Sequence, residues 1–434
     1  MNTIPIRAST LFLFSGLLLL LAPTILHAAA VHHDIAATLE PDSSVIKVSD
    51  AITFGDLAHS SLIFELHEAL EVSSSDSNVL SLQAVQEASP TPLGGGGAAI
   101  YNRYLVKLKD SSKPFTLTYQ GAILPAVDSD GEVVETTGVI NNEGIFLARS
   151  SRWFPVFPKI NFLTFRLAVT LPKGWKTISQ GNVSRGGAAK PSEGSGDIDS
   201  VTFQWQEEHP QDDIYLIAAR FHAYIQQNDK VQAQVLLREA DEALAQKYLD
   251  ATGQYIEMYS RLLGDYPYQK FALVENFWET GYGMPSFTLL GSKVLRFPFI
   301  LYTSYPHEIL HNWWGNSVYI DYDSGNWAEG LTAYLADHLM KEQRGQARLY
   351  RRGVLQKYTD HVKDGDDFPL SEFRSRHNAD SAAIGYGKTA MLFHMLRLEL
   401  GERVFVKSLR QLYKEQIYKI TSFADIQRIF SENA

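Results

Sequence analysis

The 434-residue sequence contains no cysteine. Disulfides, thiolate metal ligands, a cysteine nucleophile and a lipid-bearing cysteine are therefore excluded, and stability has to come from a buried core. Positive charge is also scarce, with 39 Lys and Arg against 49 Asp and Glu, a net −10. That balance argues against a nucleic-acid surface, and no nucleic-acid partner is expected. Long apolar runs are confined to the N-terminus. There Leu11 to Leu21, interrupted only by Ser15 and Gly16, follows Arg7 and precedes Pro23 and Ala28-Ala29-Ala30. A positive start, a short apolar run and a small-residue cleavage site make residues 1–30 a secretory signal peptide. The run is short for a membrane span. Cleavage removes one Arg and no acid, leaving 38 basic and 49 acidic residues, a net −11 with no span remaining. A bacterial periplasm or the cell exterior is the expected address.

What is present is the composition of a soluble globular protein, 45% hydrophobic and 20% charged. Its length calls for more than one core. In residues 31–227 the period is two. Phe115, Leu117 and Tyr119 alternate with threonines, Leu163 to Leu171 alternate with smaller or polar residues, and Val201, Phe203 and Trp205 alternate with Thr and Gln. Half-buried antiparallel strands in a β-sandwich-like domain follow. After Asp229 the period lengthens. Ala240, Leu244, Tyr248, Ala251, Tyr255, Met258 and Leu262 form one helical stripe, ended by Gly264. Residues 228–434 are thus expected to be a mostly helical second domain, giving a multidomain α+β chain.

The chemistry concentrates in Tyr305-Pro306-His307-Glu308-Ile309-Leu310-His311. Histidines four apart share a helix face and can point at one ion, and neutral imidazole suits Zn2+. Glu308, beside the first imidazole, is placed to take a proton from a metal-activated water. A catalytic zinc needs a third protein ligand. Asn326-Trp327-Ala328-Glu329-Gly330 opens a second amphipathic helix, with Leu331, Tyr334, Leu335 and Leu339 on its apolar face. Glu329, early in that helix, is the candidate, against the alternative of a solvated first-turn carboxylate.

With these motifs the chain resembles the gluzincin peptidases of the alanyl aminopeptidase and leukotriene-hydrolase family. The resemblance rests on His307-Glu308-x-x-His311-x-Trp313-x-Gly315-Asn316, on Asn326-x-x-Glu329-Gly330, on Tyr386-Gly387-Lys388 and on Leu400-Gly401-Glu402. Gly264-Asp265-Tyr266-Pro267-Tyr268 is similar to the stretch before the family's substrate-edge strand. The resemblance implies a β-rich N-terminal domain, a thermolysin-like catalytic domain and a cleft between them. It also implies one Zn2+ on His307, His311 and Glu329, Glu308 as catalytic base, Tyr386 as donor to the oxyanion and a peptide substrate.

Three departures stand out. Seventeen residues, Asn312 to Ala328, separate His311 from Glu329 where the family usually has eighteen. Thr389 stands where the family's tyrosine motif ends in glycine. Most consequentially, the family's Gly-x-Met-Glu-Asn, whose Glu binds the substrate amine, reads Tyr282-Gly283-Met284-Pro285-Ser286 here. Proline can neither hold an ammonium nor donate a backbone N–H. Glu275 and Glu279 lie nearby as substitutes or as ordinary paired carboxylates; Trp278, Tyr282 and Phe287 line the groove or pack the core. The function expected is zinc-dependent hydrolysis of peptide bonds, aminopeptidase-like by resemblance. An endopeptidase of the same chemistry and, less so, a non-catalytic peptide-binding scaffold remain as alternatives.

Overall fold

The computed structural model describes residues 31–55, 60–85, 101–127, 133–183, 190–191, 200–363 and 365–434. The signal-peptide reading of residues 1–30 lies outside the described residues. Strands β1 (Val31–Glu40), β2 (Val45–Phe54), β3 (Phe115–Ala122), β4 (Leu163–Pro172) and β5 (Ser200–Gln211) run in the order β5-β4-β1-β2-β3 within one large sheet. The alternation read from sequence appears as alternating burial: Phe115, Leu117 and Tyr119 are interior, as are Leu163, Phe165, Leu167, Val169 and Leu171. One pairing differs from the all-antiparallel expectation, because β1 runs parallel to β4 with Val31 opposite Leu163. A four-stranded sheet shares the same apolar core through Ile145, Phe146, Leu147, Leu216 and Ile217, completing the sandwich-like arrangement.

The second sheet system is formed by β6 (His222–Asn228), β7 (Val231–Leu237), β8 (Lys270–Asn276), β9 (Gly281–Met284) and β10 (Phe287–Gly291), in the order β6-β7-β8-β10-β9. The β6–β7 hairpin carries the chain across residue 228. Every residue of β8 is buried because its alternate side chains enter different cores. Ala272 and Val274 join the N-terminal core, while Phe271 and Leu273 face the helices. The sheet is therefore shared between the two halves, and β9 is left as its edge.

Helix α1 (Glu242–Leu263) covers the helical side. It starts where the Asp241 carboxylate accepts from Leu244 N (2.9 Å) and stops at Gly264, φ 132°. Its buried face is Ala245, Tyr248, Leu249, Thr252, Tyr255, Ile256, Tyr259 and Leu263. That face is rotated from the stripe expected: Tyr248 and Tyr255 belong to both, whereas Leu244, Ala251, Met258 and Leu262 are half-buried flanks and Ala240 is exposed. The tyrosines decide the rotation, since Tyr248 Oη must reach Leu295 O (2.6 Å) and Tyr255 Oη must reach Leu301 O (2.7 Å).

Further helices follow: α2 (Ser304–Leu310), α3 (Ala328–Ala333), α4 (Leu339–Gln343), α5 (Ala347–His361), α6 (Ala379–Ala382), α7 (Thr389–Gln416, broken by a kink at Gly401) and α8 (Phe423–Asn433). A π-helical turn, Tyr334–His338, joins α3 to α4, and another, Ala383–Lys388, joins α6 to α7. None of the helices among the described residues is long and apolar enough to cross a membrane.

Candidate metal centre and active-site cleft

His307 and Glu308 sit on α2, and His311 follows its last residue with φ −56° and ψ −20°. Helix α2 is only seven residues long and is held by burial rather than by propensity. Tyr305, Ile309, Leu310, Trp313 and Trp314 are all fully buried, and Pro306 is tolerated because it lies in the first turn. Asn312 clamps the end of the helix to the sheet. Its Oδ1 accepts from Ser286 N (2.7 Å) in the β9–β10 turn, and its Nδ2 donates to Ile309 O (2.9 Å).

Glu329 is the second residue of α3, and its Oε2 lies 3.5 Å from His307 Nε2 and 3.4 Å from His311 Nε2. The three donor atoms lie within 4.8 Å of one another. Bonds of ~2.0–2.1 Å at a tetrahedral ion place neighbouring ligand atoms ~3.3 Å apart, so the two carboxylate–imidazole separations suit zinc. Glu329 Oε2 is buried without a hydrogen-bond partner in the structure, a costly placement that a shared cation relieves. Two imidazoles and a carboxylate are also the donor chemistry of a catalytic zinc.

Each imidazole has its other nitrogen engaged. His307 Nδ1 is 3.4 Å from Asp337 Oδ2, and His311 Nδ1 is 3.0 Å from Trp314 O. Those acceptors place the protons on Nδ1 and turn both Nε2 lone pairs toward Glu329. Asp337 was not identified from the sequence. Burial alone would raise Glu329, but the two imidazoles hold it well below the usual carboxylate range. Burial pushes Glu308 up, against the pull of the same imidazoles.

Tyr386 lies in the second π-helical turn, its ring 6.3 Å from that of His307. Burial, and then the charge of Glu329, push its phenol up, so it stays a proton donor. The turn packs closely on α3: a Cβ at Gly330 would come within 2.2 Å of Thr389 Cβ. Thr389, the departure from the resemblance, thus rests over an α-carbon that has no side chain. Lys388 is paired with Asp367 at 2.8 Å.

His307, Glu308, His311, Glu329 and Tyr386 all line one cleft of about 970 Å3. Edge strand β9 forms one wall, and Gly283 stands so close that a Cβ there would meet Glu308 Oε2 at 2.5 Å. Pro285 is buried in the β9–β10 turn and does not reach the cleft. Glu275 is committed elsewhere: it is buried, pairs with Arg296 (2.7 Å) and accepts from Arg238 N (2.8 Å). Glu279 lines the cleft, as does Asp212 from the N-terminal half. Of the aromatics, Tyr282 lines the cleft, Phe287 is in the core and Trp278 packs edge-on against Phe146. His338 stacks on Tyr334 and meets Arg351, and His394 pairs with Tyr334 Oη, so neither belongs to the centre.

Fold and site together present a β-rich half, a helical half and a cleft holding two imidazoles and a carboxylate that could bind one metal ion. Residues 303–434 match the model of the peptidase family M1 domain. Among curated relatives, an alanine/arginine aminopeptidase of Saccharomyces cerevisiae is 27% identical over 133 residues, 28% of this chain and 15% of the relative. Aminopeptidase 2, mitochondrial, of the same yeast is 30% identical over 118 residues, 24% of this chain and 12% of the relative. The matched segment thus spans only a small part of either yeast protein. A Deinococcus radiodurans M1 zinc metallopeptidase, solved as a glutamate-to-alanine variant with the substrate Tyr-Ser-Ala, superposes with a TM-score of 0.69 at 16% identity. That likeness covers 93% of this chain and 91% of the other. The same enzyme without the substitution gives 0.67, covering 93% and 90%.

Proposed function

We propose that this protein is an exported, aminopeptidase-like metallopeptidase acting on peptides, with one Zn2+ held by His307, His311 and Glu329. The observation that carries the reading is Glu329 Oε2, buried and unpartnered between two imidazole Nε2 atoms. Zinc bound there supplies a Lewis acid that polarises the scissile carbonyl and acidifies water. Glu308, buried enough to bind a proton readily, takes one from the attacking water and passes it to the leaving amine. The protonated phenol of Tyr386 donates to the developing oxyanion. Edge strand β9 offers backbone groups to an extended peptide, and Gly283 keeps the approach to Glu308 clear.

Cleavage at the amino end is supported by the activities named for the yeast relatives and by two cleft carboxylates, Asp212 and Glu279, able to take an ammonium. An endopeptidase is the second reading, favoured by the withdrawal of Pro285 into the turn. A peptide with a free N-terminus and its acetylated twin separate the two, since only an aminopeptidase discards the twin. A scaffold without catalysis requires zinc-loaded protein that leaves a broad peptide panel intact. Export rests on the composition of residues 1–30. Glu308→Gln tests the chemistry: zinc content is retained while kcat falls by ~10^2–10^4. Undiminished hydrolysis by that variant removes the assignment.

A further inference from the structure

The β9–β10 turn is held by an unusual set of partners. Ser286 is fully buried with φ 66°, a left-handed conformation that a residue with a side chain keeps only where its surroundings enforce it. Pro285 before it brings no N–H to help. Two side chains supply the constraint: Asn312 Oδ1 accepts from Ser286 N (2.7 Å), and Lys270 Nζ donates to Ser286 Oγ (2.6 Å). Tyr266 Oη closes the ring, 3.0 Å from Lys270 O and 3.2 Å from Asn312 Oδ1. Packing does not explain the lysine. Its amine is buried 5.4 Å from the centre of the Trp205 ring and 5.6 Å from that of Phe287, a space that an apolar side chain fills without desolvating a charge. Among the described residues its hydrogen bonds go to Ser286 alone.

Resting on the peptidase reading above, we infer that Lys270 is a positioning residue of the cleft: acting through Ser286, it fixes edge strand β9 at the height over Glu308 where an extended peptide is held. The ring connects the parts that must agree. Ser286 follows β9 in the turn, and Gly283 of that strand stands where a Cβ would meet Glu308 Oε2 at 2.5 Å and His311 Cδ2 at 3.4 Å. Asn312 follows His311 directly in the chain. A small shift of the turn is therefore felt between the strand and the catalytic base. Lys270 opens β8, the middle strand of its sheet, whose Ala272 pairs with Phe287 of β10, so the lysine reaches the turn from a fixed base. The consequence for substrates is a dependence on length. A peptide bonded to β9 advances ~3.3–3.6 Å per residue, so each added residue meets more of the strand, while the shortest substrates meet only its end beside the metal ligands.

The test compares the full zinc-loaded chain with Lys270→Met, Ser286→Ala and the double variant, on peptides of increasing length that share one scissile bond. Each single variant is expected to raise KM ~10-fold for the longest peptide, the loss of about two weak strand hydrogen bonds, and to leave kcat and the shortest substrate within ~2-fold. The double variant should be no worse than either single, since both break one contact. Amide hydrogen exchange gives a reading that needs neither metal nor turnover: residues 281–288 should exchange ~10-fold faster in the variants, with α1 unchanged. Equal losses at every length mark a merely structural lysine and overturn the inference, as do losses that multiply in the double variant or an unchanged exchange rate. A parent that cleaves no peptide in the series, while exchange still quickens on substitution, overturns instead the peptidase reading on which the inference rests.

Discussion

Replacing Gly330 by alanine should loosen the active site without touching a ligand or a catalytic group. The added Cβ would stand 2.2 Å from Thr389 Cβ, 2.4 Å from Thr389 Cγ2 and 2.9 Å from Gly385 O. Carbon pairs rest at ~3.5–4.0 Å, so α3 and the turn bearing Tyr386 must part by more than about 1 Å. Two effects oppose each other. Alanine gains ~1 kcal/mol over glycine within a helix. Overpacking costs ~1–3 kcal/mol or more, and here a backbone carbonyl and a β-carbon cannot rotate away, which places the cost at the upper end. The net loss is ~1–2 kcal/mol, a fall in Tm of ~2–8 °C for a domain of this size. Displacing the Tyr386 phenol from Glu329 by ~1 Å should cost ~10- to 100-fold in kcat. Thr389→Gly removes the two nearest atoms, so the double variant should recover most of both losses, with a coupling of at least ~1 kcal/mol. Thermal denaturation and steady-state kinetics on the four proteins measure the cycle. A Gly330→Ala protein as stable and as active as the parent, or losses that simply add in the double variant, would refute the close-packing argument.

Asp337→Asn should weaken zinc affinity ~10- to 100-fold, measured by competition with a chromophoric chelator, because His307 loses the charge that orients it. Tyr386→Phe should keep its zinc and lose ~10^2- to 10^3-fold in kcat, with little change in KM. Lys270 is a stability probe. It is 3% exposed, donates to Ser286 Oγ at 2.6 Å and lies over Trp205, and burial pulls its amine down to about 7. Its folded value lies below the unfolded ~10.4, so between about pH 7 and 10 the unfolded chain holds more protons and the stability of the native protein rises with pH. Lys270→Met removes that slope. Its advantage over the parent in urea denaturation should shrink by ~2 kcal/mol from pH 7 to pH 9, and a constant difference speaks against the buried amine.

The candidate metal centre was legible in the sequence to the extent that it is local. His307 and His311 share a helix face by spacing alone, and Glu329 was marked by its place in the first turn of an amphipathic helix. Asp337 was hidden for a geometric reason. Eight residues after Glu329, an ideal α-helix has turned ~800° and would aim the side chain ~80° away. The π-helical turn at Tyr334–His338 absorbs one residue, ~100° of rotation, and returns Asp337 to the face of His307. In the same way α1 showed its period in the sequence but not its rotation, which the hydroxyls of Tyr248 and Tyr255 fix by reaching the 295–301 segment.

By itself the sequence determined what short-range periodicity can carry: alternating strands before residue 228, helical stripes after it, and the types and spacing of residues that bind a metal. Tertiary structure alone decided which distant segments share the cleft. It turned β8 into a strand with a face in each core, and shut Pro285 into a turn and Glu275 into an ion pair. The physical reason is that periodicity states which side of an element is apolar, whereas the partner of that side is chosen by burial and close packing summed over the whole chain.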